Sequence, residues 1–538
     1  MIAMSYRIAG GDFDTAGIAT RQLKEQLAKI GVNGAVMRRA MIASYEAEMN
    51  VVIHARTGTL WARLDDGKLD LEVADEGPGI PDVSLALREG WSTASAQARE
   101  MGFGAGMGLP NIRRNSDLFE IETRVGRGTR VRSTILLTGL AAGIAPLETA
   151  APASLSILST RCRHCLRCIF ACPTGALRVH DRGPELLDAL CIGCTACLGE
   201  CPAGVYGIPV DARSTEALRA IPPNAVCVVP AGFLAGFPVD HAPSRVREAL
   251  LDMGFSEVRL LEEWSAVLRR EARVRAAAPA GARPLIPPFC PGVVALVESR
   301  YPSLIPNLGP WLSPIEAAGE EFPLRPVYVA AACPAQYRAA LRDSLTERLT
   351  VLSPSGLADA VRKILPRAAD RPARAAGARE QAAPLPGEIA VTGVRHVLRV
   401  LAAAEAGALD EATMLELWLC DTGCEGSPLL SADPYLSRHR LAEASLFQRA
   451  ADTAAAAAVP RARAYTQRAG TRLDADMGRA IGKLARIDAF ARALPGRDCG
   501  ACGAPSCAAF AEDVVMDRAA ADGCPHAAPG RFQREDER

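Results

Sequence analysis

Eight of the 17 cysteines in this chain fall into two copies of one spacing. The copies are Cys162-x2-Cys165-x2-Cys168-x3-Cys172-Pro173 and Cys191-x2-Cys194-x2-Cys197-x3-Cys201-Pro202, offset by 29 residues. Thiolates at this spacing wrap three corners of an iron–sulfur cubane, and the fourth cysteine of each run ligates the other cluster. The pattern therefore assigns Cys162, Cys165, Cys168 and Cys201 to one [4Fe-4S] cluster. It assigns Cys191, Cys194, Cys197 and Cys172 to a second. Zinc fits poorly, because zinc ribbons use paired cysteines rather than two four-cysteine runs each ending in Cys-Pro.

The remaining cysteines extend this class. No charged-then-apolar leader precedes a cleavage site, so metal sites are expected rather than a disulfide framework, and the protein is expected in the cytoplasm. Sixteen cysteines fall into three arrangements and Cys227 stands apart. With 61 basic and 61 acidic side chains there is no basic excess, which argues against a nucleic-acid partner. The longest apolar candidate, Ile135 to Pro146, is too short to span a bilayer, so no membrane is expected.

A length of 538 residues, 49% hydrophobic, is a prior for three or four domains. The expected class is multidomain α/β. Residues 1–140 contain no cysteine and alternate helical and strand-like patterns. Ile18, Leu23, Leu27 and Ile30 form a helical stripe, and Leu69–Val73 and Val131–Leu137 read as strands. An Ala/Pro-rich linker at 141–156 precedes the double cysteine run at 157–215. Residues 216–445 read as an α/β domain, with buried strands at Val226–Pro230 and Val327–Ala332 and a helix at Ser244–Met253. Within it, Pro366–Pro386 is expected to be a surface insertion. An Ala-rich linker at 446–476, with low-complexity Ala451–Pro460, leads to a final unit at 477–538 that opens with a helix, Met477–Leu494.

Three elements of the first region belong together. Glu46, Asn50 and His54 are spaced by four and share one helix face. Asp75-Glu76-Gly77-Pro78-Gly79-Ile80 is an acidic residue ahead of a glycine turn, just after a strand. Gly102-Phe103-Gly104-Ala105-Gly106-Met107-Gly108-Leu109 is a glycine run opening a helix, where backbone N–H groups approach phosphates. An amide oxygen such as that of Asn50 suits Mg²⁺, and a carboxylate beside it suits a general base. His54 reads as structural. In this order and spacing the elements resemble the GHKL ATPase superfamily, and residues 11–133 resemble its anti-sigma-factor and switch serine kinases. Glu89-Gly90-Trp91-Ser92-Thr93 and Gly126-x-Gly128-Thr129 add to the likeness. The resemblance implies a GHKL α/β sandwich binding ATP with Mg²⁺, with Glu46 activating a target hydroxyl and Asn50 holding the metal. Asp75 would bond the adenine amino group, and Gly77, Gly79, Gly104, Gly106, Gly108 and Thr129 would frame the nucleotide.

The double cysteine run resembles a bacterial ferredoxin. Cys290 in Pro287-Pro288-Phe289-Cys290-Pro291-Gly292, Cys333 in Ala332-Cys333-Pro334, and Cys420 and Cys424 in Cys420-Asp421-Thr422-Gly423-Cys424 resemble the large-subunit domain of [FeFe]-hydrogenases. That resemblance implies a third [4Fe-4S] cluster on these four cysteines, with Cys424 positioned to bridge to a diiron centre. The bland reading is four unrelated buried thiols. Departures matter more than the match. Active members carry a proton-relaying cysteine where this chain has Phe289, and a lysine where it has Gln336. Trp418 replaces an expected methionine, and Glu425-Gly426-Ser427 replaces a glycine triplet. These differences leave the diiron centre in doubt and imply little or no hydrogen turnover.

Cys499-x2-Cys502-x4-Cys507-x16-Cys524-Pro525 suits one more [4Fe-4S], in a small helical domain. Zinc is the rival on ligand count alone. The pattern resembles the small cluster-binding domain of electron-transport subunits and of hydrogenase-like regulators. Four clusters beside one ATP site lead to two expectations. One is a redox-responsive signalling kinase whose partner is a kinase target or an anti-sigma antagonist-like protein. The other is an ATP-gated electron-transfer subunit serving a redox enzyme, with a ferredoxin as possible electron donor. A hydrogen-metabolising enzyme ranks last.

Overall fold

Alternating burial builds the first sheet. β1 (Ile2–Ala9), β2 (Thr57–Asp65), β3 (Lys68–Asp75), β4 (Leu118–Arg124) and β5 (Gly128–Leu136) are antiparallel, in the order β1-β2-β3-β5-β4. Leu60, Ala62 and Leu64 of β2 and Leu69, Leu71 and Val73 of β3 point to one face, as the two-residue period requires. Helices α1 (Ile18–Lys29) and α2 (Gly34–His54) join this core. Of the stripe expected at Ile18, Leu23, Leu27 and Ile30, the last three are fully buried there and Ile18 is half-buried. This computed structural model describes residues 2–13, 15–65, 67–94, 104, 106–137, 155–209, 216–238, 241–278, 281–341, 349–365, 385–430, 433–443, 458–462, 464–468, 470 and 472–527. Gly102, Phe103 and Ala105, the linker to residue 154, and most of Pro366–Pro386 and Ala451–Pro460 lie outside the described residues.

α1 begins at Gly17, which has no side chain to cap it. The cap comes from α2. Glu48, 2% exposed, accepts from the N–H groups of Gly17 (2.9 Å), Ala19 (3.2 Å) and Thr20 (2.9 Å), and from the Thr20 hydroxyl (2.7 Å). Otherwise unpaired donors at a helix start thus meet one buried carboxylate, which the helix dipole also favours.

Between residues 155 and 209 the sequence duplication is repeated in the backbone. β6 (Ser156–Ile157) pairs with β9 (Tyr206–Gly207), and β7 (Leu177–His180) pairs with β8 (Gly183–Leu186). Each cysteine run holds one short helix, Arg167–Ala171 or Ala196–Glu200. Leu166 (φ 62°) and Thr195 (φ 66°), 29 residues apart, are both left-handed. Both runs therefore pay the same conformational cost at the same place in the loop.

β10 (Val226–Val229), β11 (Glu257–Leu260), β12 (Val327–Ala330) and β13 (Leu349–Leu352) form a parallel sheet, ordered β11-β10-β12-β13. Cys227 and Val229 pack against Val246, Leu250 and Leu357, while Val226 and Val228 pack against Trp264 and Ile315. Apolar cover on both faces explains the unbroken hydrophobic run read from the sequence. Cys227 is a core thiol, fully buried, and burial pushes its pKa up. β14 (Glu388–Thr392) and β15 (Met414–Trp418) form a separate parallel pair joined through the helix Val394–Glu405. Arg269 and Arg273 of the helix Glu262–Ala277 clamp this pair in bidentate fashion, through Glu416 (2.8 and 2.6 Å) and Glu388 (2.9 and 2.8 Å).

The two ends of the chain share one core. Met477, Ile481, Leu484 and Ile487 of the helix Met477–Ala493, and Phe510 of the helix Cys507–Val515, join the cluster that holds Leu23, Leu27 and Ile30. Among the described residues, no helix is long and apolar enough to cross a membrane.

Glu48→Ala leaves several buried donors unsatisfied and is expected to cost about 3 kcal/mol of local stability. Amide exchange in α1, followed by mass spectrometry, should accelerate by about a hundredfold. Unchanged exchange would show that the cap is not needed.

Candidate nucleotide and iron–sulfur sites

A cavity of about 610 Å³ opens between α2 and the sheet, a size suited to a small ligand. Glu46, Asn50 and His54 line it from α2, as their spacing requires. Asp75 lines it from the end of β3, with Gly79, Gly104, Gly106, Gly108 and Thr129. Trp91, Ser92 and Thr93 add a further wall. Gly77 does not line the cavity. Its N–H instead donates to Asp75 Oδ1 (2.7 Å), as does the N–H of Thr129 (3.2 Å). These two bonds hold the carboxylate in place while burial raises its pKa.

Close approach explains Gly108. A Cβ there would lie 3.1 Å from Asn50 Oδ1 and 3.4 Å from Glu46 Oε2, so a side chain would crowd both functional groups. Gly108 also opens the helix Gly108–Arg114, which carries Asn111. Asn111 Nδ2 donates to Glu46 Oε1 at 2.6 Å. Burial raises the Glu46 pKa, and this hydrogen bond opposes the rise. An orienting donor on a buried carboxylate is what a general base needs. His54 is pushed toward its neutral form by burial, with the nearby Asp75 opposing.

The first eight cysteines gather across the duplication. Cys191, Cys194 and Cys197 each feel the charge of Cys172, the last cysteine of the other run. Cys168, Cys197 and Cys201 all act electrostatically on Tyr206. In the hydrogenase-like region, Cys290 and Cys333 each precede a proline that starts a helix, Pro291–Arg300 and Pro334–Ala340. Two helix N-termini therefore adjoin thiols whose anionic form they favour. Cys333 and Cys424 lie near each other and near Cys290 and Cys420. Burial, followed by mutual repulsion, raises both pKa values, and Cys420 is pushed up to about 12. Four such thiolates become stable together only with cationic metal among them. Near the C-terminus, Cys502 feels the charges of Cys499 and Cys524, and Cys507 heads its helix. Among the described residues, no three His, Cys, Asp or Glu side chains converge on one point as a single ion requires. A cubane instead takes its ligands at four separate corners.

A diiron subsite does not fit the residues present. Phe289, 1% exposed, stacks on Trp418 (centroids 5.5 Å apart), and the Arg269 guanidinium lies over its ring. Gln336 donates its side-chain amide to Cys424 Sγ (3.3 Å). Phe289 puts aromatic carbon where the hydrogenase resemblance implies a proton relay.

The four thiol groups are arranged in series. Thr195, inside the second run, has its hydroxyl 3.5 Å from Cys420 Sγ, and Arg338 bonds the Cys191 carbonyl (3.0 Å) and Asp188 (2.8 Å). At the other side, the Val179 N–H donates to Gly503 O (2.9 Å), and Arg178 makes a buried ion pair with Asp513.

Comparison with known proteins agrees with this layout. Residues 38–139 match the histidine kinase-, DNA gyrase B- and HSP90-like ATPases. Residues 161–205 match the 4Fe-4S dicluster domain, and 494–526 a putative Fe-S cluster domain. The serine/threonine-protein kinase RsbT of Bacillus subtilis is 31% identical over 121 residues, 22% of this chain and 85% of RsbT. Through this domain, the chain belongs to the RsbT family. An anti-sigma F factor of Caldanaerobacter subterraneus is 37% identical over 94 residues, 16% of this chain and 62% of that protein. Residues 225–322 match the C-terminal domain of the iron-only hydrogenase large subunit, a span that includes Cys290 but stops before Cys333. Solved [FeFe]-hydrogenases are similar at low identity. One, from a study of stepwise H-cluster assembly, is 17% identical (TM-score 0.33) and covers 45% of this chain and 91% of its own. A Chlamydomonas reinhardtii enzyme is 16% identical (TM-score 0.30) and covers 46% and 90%. The chain thus joins an RsbT-type ATPase domain to iron–sulfur domains.

Two features of the RsbT-type pocket carry no sequence signal. Asn111 bonds the wall residue Glu46 from a helix read only for its glycines. The wall residues Ala406–Ala408 lie 275 residues beyond Val131, the wall residue before them in sequence.

Gly108→Val is expected to weaken ATP binding at least tenfold, by crowding Asn50 and Glu46, in calorimetric titration of anaerobic protein. Gly67→Val, where a Cβ meets nothing within 4 Å, serves as the control. Equal affinities for the two variants would show that the cavity is not the nucleotide site.

Proposed function

We propose that this protein is a redox-responsive regulator in which iron–sulfur cluster state controls an RsbT-type kinase. The observation that carries this reading is the unbroken contact from thiol group to thiol group and on to the nucleotide domain. Thr195 meets Cys420, and Arg178 meets Asp513. The residue beside it, Glu512, pairs with Lys29 of α1 at 2.9 Å.

The proposed ligand sets are Cys162, Cys165, Cys168 and Cys201; Cys191, Cys194, Cys197 and Cys172; Cys290, Cys333, Cys420 and Cys424; and Cys499, Cys502, Cys507 and Cys524. Each holds one [4Fe-4S] cluster, which supplies reversible one-electron chemistry when bound. The protein's own part is to keep the thiols in register and dry. Glu46, oriented by Asn111, takes the proton from an acceptor hydroxyl, while Asn50 holds Mg²⁺ against the phosphates. The partner is a protein, as the names of the kinase and anti-sigma relatives indicate for them.

Electron transfer to a partner enzyme is the second reading. It is favoured by the exposure of Cys165 and Cys499 at one end of the series, where electrons could enter from a carrier such as a ferredoxin.

Anaerobically reconstituted protein should contain about 16 iron atoms per chain, four for each of the four sets. Cys333→Ser should lose about four of them and Cys227→Ser none. ATP affinity, titrated in the same buffer for oxidised and reduced protein, is expected to differ several-fold. A tenfold difference corresponds to about 59 mV in a one-electron potential, since the linkage is reciprocal. Equal affinities would sink affinity-coupled sensing and give electron transfer the lead.

A further inference from the structure

The nucleotide cavity is not closed by the RsbT-type domain alone. Ala406, Gly407 and Ala408 line it, and they belong to the turn after the helix Val394–Glu405, in the hydrogenase-like region. We propose that this turn is a working wall of the nucleotide site, placed at the end where the terminal phosphate of ATP lies, and that it sets the preference between ATP and ADP. The inference rests on the reading of the cavity as an ATP site.

The position follows from α2. On the ATP reading Asp75 marks the base end of the cavity, and it lies within electrostatic reach of His54. Moving back along the helix, Asn50 and then Glu46 follow, so Glu46 lies about 12 Å from that end. Arg38 lies a further eight residues back, on the same side as Tyr45 and Met49 by helical spacing. Asp410, just past the turn, is within electrostatic reach of Arg38. Glu405, just before it, makes a buried ion pair with Lys24 of α1 and accepts from the Ser303 hydroxyl. The turn is thus anchored through Glu405, with Asp410 as its marker along α2. That marker lies beyond Glu46, away from Asp75.

Its conformation gives it a sign. Gly407 is left-handed (φ 78°), and the N–H groups of Gly407 and Ala408 return to the carbonyls of Ala404 (3.1 Å) and Ala403 (3.0 Å), which closes the helix end. The negative pole of a twelve-residue helix therefore faces the cavity. A helix N-terminus attracts phosphate, and this end disfavours the extra charge of the terminal phosphate. Six residues after Ala408 the chain enters β15, which ends two residues before Cys420. A clamped strand of about 16 Å thus joins this wall to a thiol of the third set.

The test is calorimetric titration of the full-length holoprotein with MgATP and with MgADP, for wild type, Ala408→Glu, Ala408→Lys and Ala408→Gln. Ala408 is exposed, so longer side chains reach into the cavity rather than the core. Ala408→Glu is expected to weaken ATP at least tenfold while changing ADP less than threefold, and Ala408→Lys to shift the ratio the other way. Ala408→Gln, the uncharged counterpart of the Glu variant, should give an ATP-to-ADP ratio between those of the two charged variants. ADP binding and iron content report that each variant is folded. An ATP-to-ADP ratio unchanged in both charged variants, while wild type binds both nucleotides, overturns the inference alone. Failure of wild type to bind either nucleotide overturns the ATP reading and this inference with it.

Discussion

The architecture turns on a single short helix that carries two of the chain's few lysines. Lys24 of α1 is buried against Glu405 and lies 3.8 Å from the Tyr301 ring centroid, and Lys29 of the same helix pairs with Glu512. A buried ammonium is tolerated only when paired, and breaking such a pair costs about 3–5 kcal/mol. Two regions separated by a hundred residues of sequence are thereby fastened to the nucleotide domain on one helix, five residues apart. α1 itself stands on the carboxylate of Glu48, from the helix that also presents Glu46 and Asn50. Any strain at either lysine thus acts directly on the element that holds the proposed base.

The thiol groups close this arrangement into a ring. The series runs from the C-terminal set through the two ferredoxin-like sets to the hydrogenase-like set, and each of its ends touches α1 through one of those ion pairs. An open chain of domains would let cluster state and nucleotide state fluctuate independently. Under the proposed regulatory reading a closed ring links them, because a shift at one contact must be absorbed at another. Adjacent residues make this concrete. Glu512 reaches toward the nucleotide domain and Asp513 toward the ferredoxin-like strands, from one helix headed by Cys507.

Local sequence revealed what local physics determines. The duplicated cysteine spacing implied a duplicated loop, and the left-handed pair Leu166 and Thr195 shows the same backbone solution used twice. The i, i+4 spacing of Glu46, Asn50 and His54 put all three on one helix face, and that face lines the cavity. Period-two burial in β2 and unbroken burial in β10 followed from their hydrophobic patterns. The contacts between regions were not legible. Glu405 reads as an ordinary charged helix end, Glu48 as one more acidic residue on α2, and Ala406–Ala408 as a featureless turn. Their roles come from partners far away in sequence, and no periodicity records those. Gly77 shows a subtler gap, since its motif placed it at the nucleotide whereas its N–H instead steadies Asp75.

The replacement of a proton relay by Phe289 then has a consequence under the proposed regulatory reading. Where a cluster is reduced next to a proton donor, uptake of a proton cancels the added charge. Here the stacked Phe289 and Trp418 offer no titratable group, and the adjacent Arg269 is held by Glu416. An electron arriving at the hydrogenase-like set therefore leaves its charge in a dry interior, where electrostatic interactions are strong. The nearby carboxylates, Glu262 beside Cys424 and Asp421 beside Cys420, and the dipoles around them would have to answer that charge. The clamped strand β15 lies next to the site and leads back to the nucleotide cavity. Loss of the relay thus removes what a hydrogen-evolving site needs, and the same loss favours transmission of cluster charge to the rest of the protein.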